Sequence, residues 1–183
     1  MSVRGCLMMA AVVATACGPS SSEVGSSRLL DSDSELVALL DPLALTPVDA
    51  ASDPLAHHRP PEVDCPSATW GPEGGGFEIQ TGACNYGAFE QPLSMLVEAG
   101  DALHIIVWHD TLDFIEPAVA HVAVWMGTTV VWEAEVAIPA ASGAFEVSVP
   151  VEEPAAANDR LGLHLHNHGY NSWRFVAVDL QRG

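Results

Sequence analysis

The stretch at residues 161–180, LGLHLHNHGYNSWRFVAVDL, decides the fold. Its opening alternates, with Leu161, Leu163 and Leu165 in every second place and His164 and His166 between them. A period of two puts the leucines on one face of a pleated strand and the imidazoles on the other, and a helix has no face that matches it. Residues 167–171, NHGYN, then supply turn formers, and 172–180 resume as an aromatic and β-branched run that reads as a second strand.

Moving outward, the same texture recurs at 93–97, 102–108, 121–126, 130–138 and 144–149, with a further strand expected at 76–80. Gly, Pro, Asn and Asp separate the runs, and from Cys65 onward no segment sustains a helical period. About eight short strands predict an all-β domain over 65–183, a two-sheet antiparallel β-sandwich of the jelly-roll kind. Parity assigns Leu103, Ile105 and Val107, then Phe145, Val147 and Val149, to the core beside the three leucines.

Residues 161–180, together with AGDALHIIVWH at 99–109, resemble galactose-binding-like jelly-roll domains. In those domains an Asn-Gly-type turn precedes a last strand that carries an aromatic and closes on an apolar-Asp pair. The matching positions are the turn 167–171 and then Trp173, Phe175, Val178 and Asp179. The resemblance implies a sandwich whose relatives often bind glycans or cell surfaces without catalysis, some of them with structural calcium. It carries over no ligand residue.

The first 17 residues, MSVRGCLMMAAVVATAC, have one Arg, a short apolar core and small residues ending in a cysteine, which is a secretory signal. Ala14, Thr15, Ala16 and Cys17 resemble a lipobox, with Ala where Leu or Val is usual. The resemblance implies a bacterial lipoprotein: residues 1–16 removed, Cys17 lipidated, and the protein held at the cell envelope, in the outer membrane or on the cell surface. The other reading is an ordinary signal peptide that leaves Cys17 a stray thiol. Residues 17–64, rich in Ser, Pro, Ala and Asp, read as a solvated tether. Within it a capping box at Ser32–Glu35 before LVALL predicts a short helix that Pro42 stops, and His57 and His58 are given no role.

Charge narrows the partners. Twenty-four acidic residues stand against six arginines and no lysine, a formal charge of −18, so a nucleic acid finds almost nothing to neutralise its phosphates. No run reaches the roughly 20 apolar residues of a membrane-spanning helix, which leaves the lipid as the expected membrane contact. With Cys17 acylated, Cys65 and Cys84 are expected to pair as a disulfide in an exported compartment.

Two sets of side chains compete for a function. His164 and His166 emerge on one face about 6.6–6.8 Å apart along the strand, close enough to chelate one ion. A third imidazole would come from His104 or His121, which parity also turns outward, and such a set would suit Zn or Cu. The rival set is aromatic: Trp108 with His109 and Asp110, and Trp173 with Asn167, His168 and Asn171, pair indoles that stack on sugar rings with polar groups that bind hydroxyls. Structural Ca through Asp110, Asp113 and Glu116 is a lesser expectation. No HExxH, GxSxG or Walker loop is present, and Glu133 and Glu135 are only nominal bases for a hydrolase. The sequence therefore favours a non-catalytic module that meets a glycan or an envelope protein. Its alternatives are an envelope metal-binding protein and a hydrolase without a recognisable motif.

Overall fold

The computed structural model describes residues 35–183, so the signal peptide, Cys17 and the start of the capping box lie outside the described residues. Eleven strands form the body: β1 (Leu36–Ala38), β2 (Thr46–Pro47), β3 (Trp70–Glu73), β4 (Gly76–Gln80), β5 (Tyr86–Pro92), β6 (Ala102–His109), β7 (Ala118–Met126), β8 (Thr129–Ile138), β9 (Gly143–Pro150), β10 (Arg160–His166) and β11 (Ser172–Gln181). They make two antiparallel sheets. The first has the order β3-β4-β11-β6-β9, with β1 on the same side of β11 as β4 but farther along it. The second runs β2-β5-β10-β7-β8. The expected β-sandwich is what forms.

Strand parity sets the layer between the sheets. Leu103, Ile105 and Val107 from the first sheet meet Leu161, Leu163 and Leu165 from the second, and all six are buried. Phe77, Phe89, Phe175 and Trp173 join them, while Phe145, Val147 and Val149 pack against this core from the edge strand β9. In β11 the alternation slips by one residue at Val176, where the register with β6 shifts between Phe175 and Ala177. That bulge keeps Val178 and Leu180 turned inward beyond it. Cys65 and Cys84 form the disulfide, joining the approach to β3 with the approach to β5.

Three expectations are corrected. Residues 36–38 are a strand paired to β11, not a helix, because an open stretch of β11 edge beside Asp179, Leu180 and Gln181 offers backbone partners that a short helix would lack. Residues 36–59 are not a solvated tether. Leu39 and Leu45 enter the main core, and Val48 and Leu55 enter a second cluster with Tyr86, Ala88, Ala123 and Trp125. Residues 93–97 are not a strand. Leu93 and Val97 are buried anchors of a connection, held by main-chain bonds to residues 155, 158 and 159, while β5 does the pairing.

The second cluster positions a functional candidate. Residues 48–59 cross the outer face of the second sheet as a strap ending in a 3-10 turn at Ala56–His58. Within it Asp53 is buried, and its carboxylate accepts the Tyr86 hydroxyl and the Leu55 amide. The Arg59 guanidinium lies over the Tyr86 ring at 5.0 Å. A sheet with one solvated face therefore has both faces covered over part of its area.

Candidate functional site

The outward face of the first sheet brings together chemistry from three strands. Trp108 on β6 is half-buried and stands in register with Arg174 on β11, which is in register with Glu78 on β4. The Ser172 hydroxyl bonds the Glu78 carboxylate, and Arg174 Nη2 reaches Glu73 at 3.4 Å and Glu78 at 3.9 Å. Arg174 Nε is buried and has no hydrogen-bond partner. Burial works to raise the Glu78 carboxyl, but hydrogen bonds from Glu73 and Ser172 and the Arg174 charge hold it below the usual range. Glu73, bonded to Glu78, sits above that range.

Next to this row lies an open depression of about 410 Å³, lined by Glu78, Gln80, Asp110, Tyr170 and Ser172 among others. Tyr170 is 85% exposed, which for a large aromatic calls for a reason. Gly82 is its seat: a Cβ there would come within 3.0 Å of the ring. Aromatic surface and hydroxyl-binding groups thus meet on one face. The sequence pattern points to Trp108 and Asp110; Arg174, Glu78 and Tyr170 carry no signal in it.

The other members of the aromatic set have structural duties. Trp173 is fully buried between the sheets, in phase with Phe175, and its indole N–H donates to Asn167 Oδ1 at 3.3 Å. The Asn167 amide donates to Thr81 Oγ1 and to the His168 carbonyl, both at 2.9 Å. Asn171 donates to that same carbonyl and accepts the Asp113 amide. His109 is buried against Trp173, and its Nδ1 lies 2.8 Å from the Asp110 carbonyl. Turn 167–171 is thereby tied to the core; Trp173, His109 and Asn167 are enclosed, and of the four only Asn171 also lines the depression. His168 is half-buried beside Phe114 and His166.

The metal set is also rearranged. His104 lies on the first sheet, with Nε2 3.4 Å from Glu146, so it cannot join histidines of the second. His121, His164 and His166 do share the outer face of the second sheet, as parity required, with His166 in register with both His121 and Tyr86. That face is roofed by the strap. His58, unassigned from sequence, stacks on His121 at 3.7 Å between ring centroids and 12° between planes. His164 is 5.0 Å from His121 and 5.7 Å from His58 by the same measure.

His164 is 0% exposed and neither of its ring nitrogens has a hydrogen-bond partner, while His121 Nδ1 is buried and unpartnered too. Each such group costs about 1–3 kcal/mol when left unmatched in the interior. Burial first, then the neighbouring His121, His58 and His166, push the His164 imidazole down to about 2; burial and His168 push His166 down to about 4. These rings are neutral at ordinary pH. Among the described residues no three His, Cys, Asp or Glu groups are already gathered at metal-holding distance, and this includes Asp110, Asp113 and Glu116, which are all exposed.

No known protein-family model matches the chain, and no curated protein sequence matches it. Among solved structures, a CBM4 structure is similar at 14% identity and TM-score 0.39, over 61% of this chain and 75% of that one. A family 16 carbohydrate-binding module is similar at 11% identity and TM-score 0.37, over 57% and 74%. An arabinose-bound α-L-arabinofuranosidase is similar at 10% identity and TM-score 0.44, over 80% of this chain but 27% of the enzyme. At these levels none of them transfers a ligand to this chain; what the chain is shown to be is a two-sheet antiparallel β-sandwich.

Proposed function

We propose that this chain is an exported, lipid-anchored module that binds glycan, without catalysis, on the outward face of its first sheet. One observation carries the reading: the half-buried Trp108 indole stands in register with Arg174, beside the Glu78–Ser172 pair and the depression that exposed Tyr170 overhangs. Sugar rings offer a C–H face that stacks on an aromatic and a rim of hydroxyls that bonds carboxylates and guanidinium, and both halves of that match are within one face. Glu73, Glu78, Asp110 and Glu146 outnumber Arg174 there, which favours uncharged or amino sugars over uronic acids. Cys17 and the preceding apolar run supply the anchor in this reading.

A glycan array followed by calorimetry on the best hit tests the site. The expected result is binding that Trp108→Ala and Tyr170→Ala each weaken about tenfold or more, with the fold intact by circular dichroism. Absence of binding to neutral and amino glycans, or binding that survives both substitutions, would overturn it. Mass spectrometry of the mature N-terminus tests the anchor separately, and an unmodified Cys17 removes it.

A further inference from the structure

The roofed histidines form a second candidate site, independent of the glycan reading and on the opposite sheet. It has an unusual construction. Two imidazoles, His121 and His164, come from adjacent strands β7 and β10, and a third, His58, comes from the strap laid across them. His164 is fully enclosed with both nitrogens unmatched, and its ring packs among those of His121, His58 and Tyr86.

Coordination geometry supplies the test of fit. An imidazole nitrogen sits about 2.0–2.1 Å from Zn, which puts each ring centroid about 3.2 Å from the ion and two centroids about 5.2 Å apart in a tetrahedral site. His121 and His164 are separated by 5.0 Å, and His58 and His164 by 5.7 Å. The stacked pair, His58 and His121, is too close at 3.7 Å, and the donors do not converge as the rings now lie. Closure requires His58 to turn off that stack. His58 is half-buried on the short 3-10 turn that ends the strap.

The charged surroundings agree. Glu133 reaches His121 Nε2 at 3.2 Å from β8, and Glu135 is in register with His121. A carboxylate on the far nitrogen of a ligating imidazole orients it and raises its basicity. Neutral imidazole is the form that ligates Zn(II) and Cu(II).

We propose that His58, His121 and His164 bind one borderline transition-metal ion, Zn(II) or Cu(II), and that the ion clamps the strap to the second sheet. The site joins a backbone connection to a sheet face, so its occupancy sets how firmly residues 48–59 are held. His166 packs against Tyr86 and His168 rather than onto the His58–His121 stack, and both His166 and His168 stay outside the set.

The experiment uses the full chain, purified without an affinity tag, stripped with a chelator, and titrated with Zn(II) or Cu(II) by calorimetry and elemental analysis. One ion per chain is expected, and His58→Ala and His164→Asn are each expected to weaken binding at least tenfold. His104→Ala and His57→Ala should leave affinity unchanged. Because a His164 variant could fold poorly, His58→Ala with an unchanged far-UV spectrum is the deciding variant. Protease cleavage within residues 48–59 is expected to slow when the ion is present in the wild type and not in His58→Ala. Failure to retain a stoichiometric ion, or binding that survives His58→Ala and is lost instead with His166→Ala or His168→Ala, would overturn the assignment. Neither outcome touches the glycan array result.

Discussion

Replacing Gly162 with Ala tests the second apolar cluster more sharply than any truncation. Gly162 lies on β10 in register with Trp125 on β7 and Glu90 on β5. A Cβ at this position would fall well inside 3.0 Å of the Trp125 indole, touching three of its ring carbons. Trp125 is fully buried beneath the strap and is too rigid to yield by a few tenths of an ångström. Overpacking a well-filled site costs about 1–3 kcal/mol. Expelling the indole altogether forfeits the burial of about 200 Å², or about 5 kcal/mol at 25 cal/mol per Å². The expected loss therefore lies at about 3–5 kcal/mol, read as a fall in the urea midpoint at unchanged slope. Adding Trp125→Leu to Gly162→Ala should recover stability relative to the sum of the two single losses, since the methyl then occupies vacated space. A Gly162→Ala variant within about 1 kcal/mol of wild type would refute the claim that indole and strand are in contact.

Leu55→Ala in the strap should cost about 2–3 kcal/mol, the low end for a buried leucine because its cluster is small, and urea denaturation would measure it. Asn167→Ala should cost about 2–3 kcal/mol and quench or shift the emission of Trp173, because the indole N–H and Thr81 lose their shared partner. Breaking the disulfide with Cys65→Ser and Cys84→Ser together should cost about 3 kcal/mol in the loop-entropy model, given a separation of 19 residues. The metal-free protein should lose stability as the pH falls below about 6.5, where the unfolded chain takes up protons that the buried His164 refuses until about 2. From pH 6.5 to 4.5 that single ring contributes up to about 3 kcal/mol at about 1.4 kcal/mol per unit. Chelator-treated His164→Leu should show a correspondingly smaller difference between pH 7.5 and 4.5, and an equal difference in both proteins would rule out the burial of that ring.

Residues 161–166 show how far a sequence carries the argument. Their alternation placed three leucines inside and two imidazoles on the far face, and both placements hold. What it could not show is the roof over that face, because strap residues 48–59 are interrupted by Asp, Ser and Pro and have no period. Val48 and Leu55 are its apolar signal, and they are too widely spaced to read as an element. The strand β5, YGAFEQP, is not legible in the sequence for a related reason: Gly, Glu, Gln and Pro dilute an alternation that pairing with β10 on one side and β2 on the other makes usable.

Trp173 gives the opposite lesson. The polar residues of the preceding turn assign it to the surface in the sequence, whereas in the structure it lies in phase with Phe175 and is buried. Those residues were already committed: Asn167 and Asn171 satisfy the buried indole and main-chain groups that turn 167–171 creates. Polar side chains beside a buried aromatic can serve its hydrogen bonds before they serve a ligand. By contrast Arg174 and Glu78 come from separate strands that only the strand order sets in a row with Trp108, and Tyr170 joins Glu78 at the depression from a loop.

The course of the first described residues also decides where this domain can be cut. Composition puts a boundary at Cys65, yet β1 completes one sheet and the strap then seals the other, so this stretch belts both layers together. A chain begun at Cys65 would bare Tyr86, Trp125 and Val130 as a sticky apolar patch and leave an unguarded edge on β11. Expression starting ahead of Leu36 should yield monodisperse protein where the shorter version aggregates.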